Sequence, residues 1–125
     1  MSKPKEEINT STYIKDIHLL YEIIGLFSNT DDLKLLLKDM LTSSELRMFK
    51  RRWYIANLLY DELDIRTIAH ISNSSTSTVI KIKQILFEGK GGLKKAIEKA
   101  RLESRNEKKS QTKGYSSTYM KKWFK

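Results

Sequence analysis

From Leu26 to Glu88 the chain contains neither proline nor glycine. Proline occurs once, at Pro4, and glycine at Gly25, Gly89, Gly91, Gly92 and Gly114. Breakers confined in this way leave long stretches in which nothing interrupts a helical hydrogen-bond ladder. Within those stretches apolar residues recur every three or four positions, which is the period of an amphipathic helix. Between Tyr13 and Phe27 they fall at Ile14, Ile17, Leu20, Tyr21 and Ile24. Between 30 and 40 they fall at Leu33, Leu36, Leu37 and Met40. Thr30 reads as the cap of that second helix, with Asp31 and Asp32 in its first turn. No alternating stretch is long enough to argue for a sheet, so the fold expected is all-α.

Further helices follow the same rules. Thr42-Ser43-Ser44-Glu45 matches a capping box and opens a helix over about 43–61, with Leu46, Phe49, Trp53, Ala56 and Leu59 or Tyr60 along one side. Arg47, Lys50, Arg51 and Arg52 make its other side basic. Asp64 is placed to cap a short helix at 65–72, and a polar cluster, 72–78, leads into an apolar-periodic stretch ending near Phe87. A flexible turn at 88–92 precedes a last helix over 93–106. Residues 1–10 read as a polar, flexible arm, 11–106 as one helical domain, and 107–125 as a basic tail carrying Tyr115, Tyr119, Trp123 and Phe124. The tail's lysines and aromatic residues suit a nucleic-acid backbone with stacked bases, an anionic membrane surface, or a disordered solubilising segment.

Composition narrows the function. Residues 1–45 carry five basic and eight acidic side chains, a net −3, whereas 46–125 carry 19 and seven, a net +12. A polyanion would therefore bind the rear of the chain, unless the surplus lysines serve solubility alone. With no cysteine, the chain has no disulfide framework and no thiolate metal site. His18 and His70 lie on different expected helices, and no nucleophile with a base and an orienting group can be assembled, so neither a metal, a cofactor nor an enzyme is expected. No run approaches the roughly 18 apolar residues of a membrane span. The start lacks the apolar core of a signal peptide. A cytoplasmic location is expected. The surplus of leucine near the front, with Leu35 and Leu41 widening the apolar face, points to burial against a second subunit.

The segment Ile65–Gln84 meets the steric demands of a helix-turn-helix. Ala69 is the small residue where the second helix crosses the first. Asn73 tolerates the left-handed turn, and Val79 and Ile82 are spaced to bury against the first helix. The outward face would then carry Thr76, Ser77, Ile80, Lys81, Lys83 and Gln84. Hydroxyls and Gln can bond base edges in the major groove, and an exposed Ile can pack on a thymine methyl. Ser75 near the helix start, with Arg66 and His70 on the first helix, suits phosphate oxygens. A capped turn without a partner is the alternative for the hydroxyl cluster, and ordinary core the alternative for Ile80.

The stretch from Met40 to Glu103 resembles the Trp repressor superfamily. The resemblance rests on Leu41-Thr42 with Glu45-Leu46, on Arg52-Trp53 and Leu58-Leu59, and on the helix-turn-helix with its Ser75-Thr76-Ser77-Thr78-Val79 run. Leu86-Phe87 with Gly89, Gly91 and Gly92 is similar to the Trp repressor-like branch of Gram-positive bacteria rather than to the tryptophan-sensing repressor. The resemblance implies six helices, an intertwined homodimer and a recognition helix in each of two major grooves of double-stranded DNA. It implies a sequence-specific transcriptional regulator, a repressor; a DNA-binding accessory factor of transposition or replication and a helical protein-interaction module without DNA binding are the alternatives. Thr42, Arg52 and Thr78 stand where tryptophan-sensing members hold their effector. Lys81, Ile82 and Ile85 replace an Arg, a Gly and a Ser there. The two isoleucines would fill the space of the indole and its ammonium group, so tryptophan binding is not expected.

Overall fold

The structure, a computed structural model, describes residues 10–110, and side chains as far as 107. The described residues form six helices and no strand: α1 (Ser11–Leu26), α2 (Thr30–Met40), α3 (Ser43–Tyr60), α4 (Ile65–Ser72), α5 (Thr76–Glu88) and α6 (Gly92–Ser110). They divide into two compact units that meet in the chain between Ser43 and Ser44.

In the first unit, the Thr10 hydroxyl caps α1 by accepting from the Tyr13 amide at 3.2 Å. The α2 cap is one residue earlier than the sequence places it. Asn29 holds the extended conformation, and its Oδ1 accepts from the Asp31 amide at 2.9 Å, so Thr30 becomes the first helical residue. An amide oxygen caps somewhat better than a threonine hydroxyl, and both residues were available. Asp31 and Asp32 still occupy the first turn. No residue of α1 or α2 is buried, and Tyr13, Ile14, Leu19, Tyr21, Ile23, Ile24, Leu26 and Leu35 are all exposed.

The second unit holds the core. Ile55, Ala56 and Leu59 of α3 meet Ile68 and Ala69 of α4, Val79, Ile82 and Leu86 of α5, and Ile97 of α6. Trp53, Leu58, Tyr60, Leu63, Ile65 and Leu93 pack around that cluster, half-buried. Helix α3 stops through a left-handed residue that is not glycine: Glu62 has φ 64°. Its amide donates to the Leu59 carbonyl at 3.0 Å and the Leu63 amide reaches back to Leu58 at 3.3 Å, which closes a Schellman cap over the core-packed Leu58 and Leu63. The left-handed conformation costs an L-residue with a Cβ about 1–2 kcal/mol, part of which glycine returns through its freer unfolded chain. Glu62→Gly is therefore expected to stabilise the protein by about 0.5–1 kcal/mol, read as a higher urea midpoint with an unchanged slope.

Helix α6 continues through 107–110, which the sequence assigns to the tail, because no breaker interrupts the chain there. The rest of the tail and the arm as far as residue 9 lie outside the described residues. At the turn before α6, Gly91 has φ +88°, and a Cβ on Gly89 would run into the Ile85 carbonyl oxygen.

Candidate nucleic-acid interface

Helix α4 begins where the sequence places it. Asp64 Oδ2 accepts from the Thr67 amide at 3.3 Å, and the Thr67 hydroxyl donates to Asp64 Oδ1. Hydrogen bonds from the Thr67 side chain and backbone hold the Asp64 carboxyl below its ordinary value of 3.8. A depressed carboxyl contributes stability that is present above the ordinary value and lost as pH falls through the folded one. Asp64→Asn keeps a capping oxygen but does not titrate. The stability advantage of wild type over this variant should shrink as pH falls through the carboxylate range, and urea midpoints across a pH series check this. A constant difference at every pH would remove the cap's charge from the account.

The turn after α4 sets the angle of the helix that follows. Asn73 is left-handed, φ 53° and ψ 49°. Its amide donates to the His70 carbonyl at 3.3 Å and the Ser74 amide to Ala69 at 2.9 Å, a second Schellman cap. The buried Ser72 hydroxyl donates to the Ile68 carbonyl at 2.6 Å, so this polar group is satisfied inside the packed turn. Two residues later Ser75 caps α5. Its Oγ accepts from the Thr78 amide at 3.2 Å, with the Ser77 hydroxyl at 3.0 Å and the Thr78 hydroxyl at 2.9 Å. Ser75 therefore serves first to start the helix, and the hydroxyls of Ser77 and Thr78 join that cap.

Helix α5 turns Val79, Ile82 and Leu86 inward. At about 100° per residue, the side facing away from them carries Ser77 and Gln84, with Ile80 and Lys81 to either side. Thr76, Lys83 and Phe87 form one shoulder of this face, and Thr78 and Ile85 the other. All nine of these residues are exposed. Arg66 and His70 are exposed as well, one turn apart on α4. The chain thus brings the expected contact residues to the surface of a single helix-turn-helix, on α4, its turn and α5. Of the expected effector residues, Thr42 belongs to the first unit, and Arg52 and Thr78 are exposed positions of the second. Ile82 is core, whereas Ile85 is 47% exposed, so the two isoleucines point to different surroundings.

The sequence gives no sign of the clamp that ties α6 to the end of α3. Arg101 donates to Asp61 through Nη1 at 2.7 Å and Nη2 at 3.2 Å, and Nη2 also reaches the Asn57 carbonyl and Oδ1, both at 3.3 Å. The guanidinium lies 5.2 Å from the centre of the Tyr60 ring. Asn57, itself buried, donates to the Trp53 carbonyl at 2.8 Å. The elements beside the helix-turn-helix are held by this network as well as by apolar packing. Elsewhere, His18 pairs with Glu22 one turn away on α1 at 3.0 Å, and no group of three or more His, Asp or Glu side chains is arranged for a metal ion among the described residues. No described helix is long and apolar enough to cross a membrane.

No curated protein and no solved structure matches the chain significantly. A family model does: the one described as Trp repressor protein aligns with residues 15–101, from the second turn of α1 to the middle of α6, well over half of the chain. The helix-turn-helix just described lies wholly inside that match, and the chain belongs to the Trp repressor family.

Proposed function

We propose that this protein is a sequence-specific, double-stranded-DNA-binding transcriptional regulator, a repressor that works as a homodimer in the cytoplasm. It acts by binding and performs no catalysis. The observation that carries the reading is the α4–α5 pair. A left-handed Asn73 and a capped α5 set a polar, exposed helix face above a fully packed inner stripe, in the part of the chain that carries +12. Thr76, Ser77, Ile80 and Gln84 face the bases. Lys81 and Lys83 at the edges, with Arg66, His70 and the capped helix start at Ser75, hold phosphates. The exposed apolar residues of α1 and α2 support the homodimer, since so much uncovered apolar surface is unusual on a monomer.

Selection of a random duplex library on the purified protein, sequenced at moderate salt, tests this. Two inverted half-sites about one helical turn apart are expected. Binding without any enriched sequence would replace the regulator with an accessory factor that uses its basic rear as a general polyanion surface. Tryptophan is no part of the mechanism: Thr42, Arg52 and Thr78 form an incomplete set, with Lys81, Ile82 and Ile85 in place of the residues that hold the indole. Saturable tryptophan uptake in equilibrium dialysis would overturn that statement.

A further inference from the structure

We propose that each recognition helix reads A·T pairs, with Ile80 seated on a thymine methyl group and Gln84 bonding an adenine within about two base pairs of it. This rests on the duplex-DNA reading above and extends it to the bases themselves.

Three observations point the same way. Ile80 is 42% exposed, and its neighbours one turn away on α5 are Thr76, Ser77, Lys83 and Gln84. A branched apolar side chain beside the centre of a largely polar face gains by meeting an apolar group. In the major groove that group is the thymine C5-methyl. The second observation is the set of polar groups on the face. The Gln84 amide sets a donor beside an acceptor, which matches adenine N7 and N6–H. Helix α5 has no arginine, the fork that pairs with guanine O6 and N7, and its one carboxylate, Glu88, is in the last turn, away from the part of the helix that reaches base edges. Third, the lysines stand on opposite sides of the face, where a flexible point charge suits a phosphate better than a base. Ile80 and Gln84 are four residues apart, a rise of about 6 Å, or about two base-pair steps.

The test uses the full-length protein and the duplex that the library selection enriches. Each thymine in turn is replaced by uracil, which removes the methyl and leaves the pairing intact. One thymine per half-site is expected to weaken wild-type binding by about fourfold on this replacement, the worth of one buried methyl group. Ile80→Ala should bind the thymine and uracil duplexes alike, and Gln84→Ala should lose its preference for adenine at a position within two base pairs of that thymine. Ile80 is outside the core, and the wild-type uracil series needs no variant at all. An enriched site whose uracil series is flat, a uracil loss that persists undiminished in Ile80→Ala, or half-sites made of G·C pairs would overturn the A·T assignment while leaving the regulator in place. A library with no enriched sequence would overturn both.

Discussion

Ile68→Ala is expected to destabilise the protein by about 3–4 kcal/mol, the cost of a buried isoleucine truncated to a methyl with a cavity left behind. Ile68 is fully buried, on the inner side of α4 among residues of the other three helices of its unit. A small helical domain has about 5–15 kcal/mol in hand, so this one change removes a large share of it. With a urea slope of about 1–1.5 kcal/mol per molar, the midpoint should fall by about 2–4 M. Ile71→Ala, three residues on in the same helix, is the control. Ile71 is 46% exposed, and its truncation should cost about 0.5 kcal/mol or less. Both variants are compared at one protein concentration, so that any subunit association contributes equally to the two midpoints. Equal midpoint shifts for the two variants would mean that α4 does not pack by the face described. The functional consequence follows from the same geometry: α5 is held through α4 and its turn, so loosening Ile68 should also lower DNA affinity, whereas Ile71→Ala should leave it close to wild type.

Local rules were sufficient for α4 and α5. The Asp64 cap, the left-handed Asn73, the small Ala69 and the inward Val79 and Ile82 are all consequences of near-neighbour sterics and hydrogen bonding, and each is found where the sequence places it. Where two adjacent residues compete for one role, local rules decide less: Asn29 rather than Thr30 caps α2. Glu62 illustrates a different limit. A left-handed residue is expected to be Gly or Asn, and here the backbone closes the end of α3 around a glutamate because Leu58 and Leu63 are drawn to the core on either side of it. The Arg101–Asp61 clamp lies beyond any pattern rule, since its partners are 40 residues apart and meet only where the folded chain brings Arg101 of α6 to the end of α3. For the candidate interface, the period of α5 was enough to say which side chains face outward. It could not say that the Ser75, Ser77 and Thr78 hydroxyls would be engaged with one another at the helix start.

The second large effect is electrostatic. Lys81→Ala with Lys83→Ala is expected to weaken binding to every duplex, the enriched site and unrelated sequence alike, because phosphates carry no sequence information. Both side chains are exposed, and no ion pair holds either of them among the described residues, so their removal spares the packed stripe of Val79, Ile82 and Leu86. Each phosphate contact on duplex DNA contributes about 0.9 to the slope of log affinity against log salt. Losing two contacts lowers the slope by about 1.8 for one recognition helix and by about 3.6 if both helices of a homodimer are engaged. At 0.1 M salt the affinity loss is about tenfold per contact. The slope thus measures two things at once: whether the edges of α5 lie on phosphates, and how many copies of α5 are on the DNA. An unchanged slope would move the lysines off the backbone. A loss of affinity confined to the enriched site, with binding to unrelated duplex intact, would instead make the lysines readers of bases and shift the phosphate contacts to Arg66 and His70 on α4.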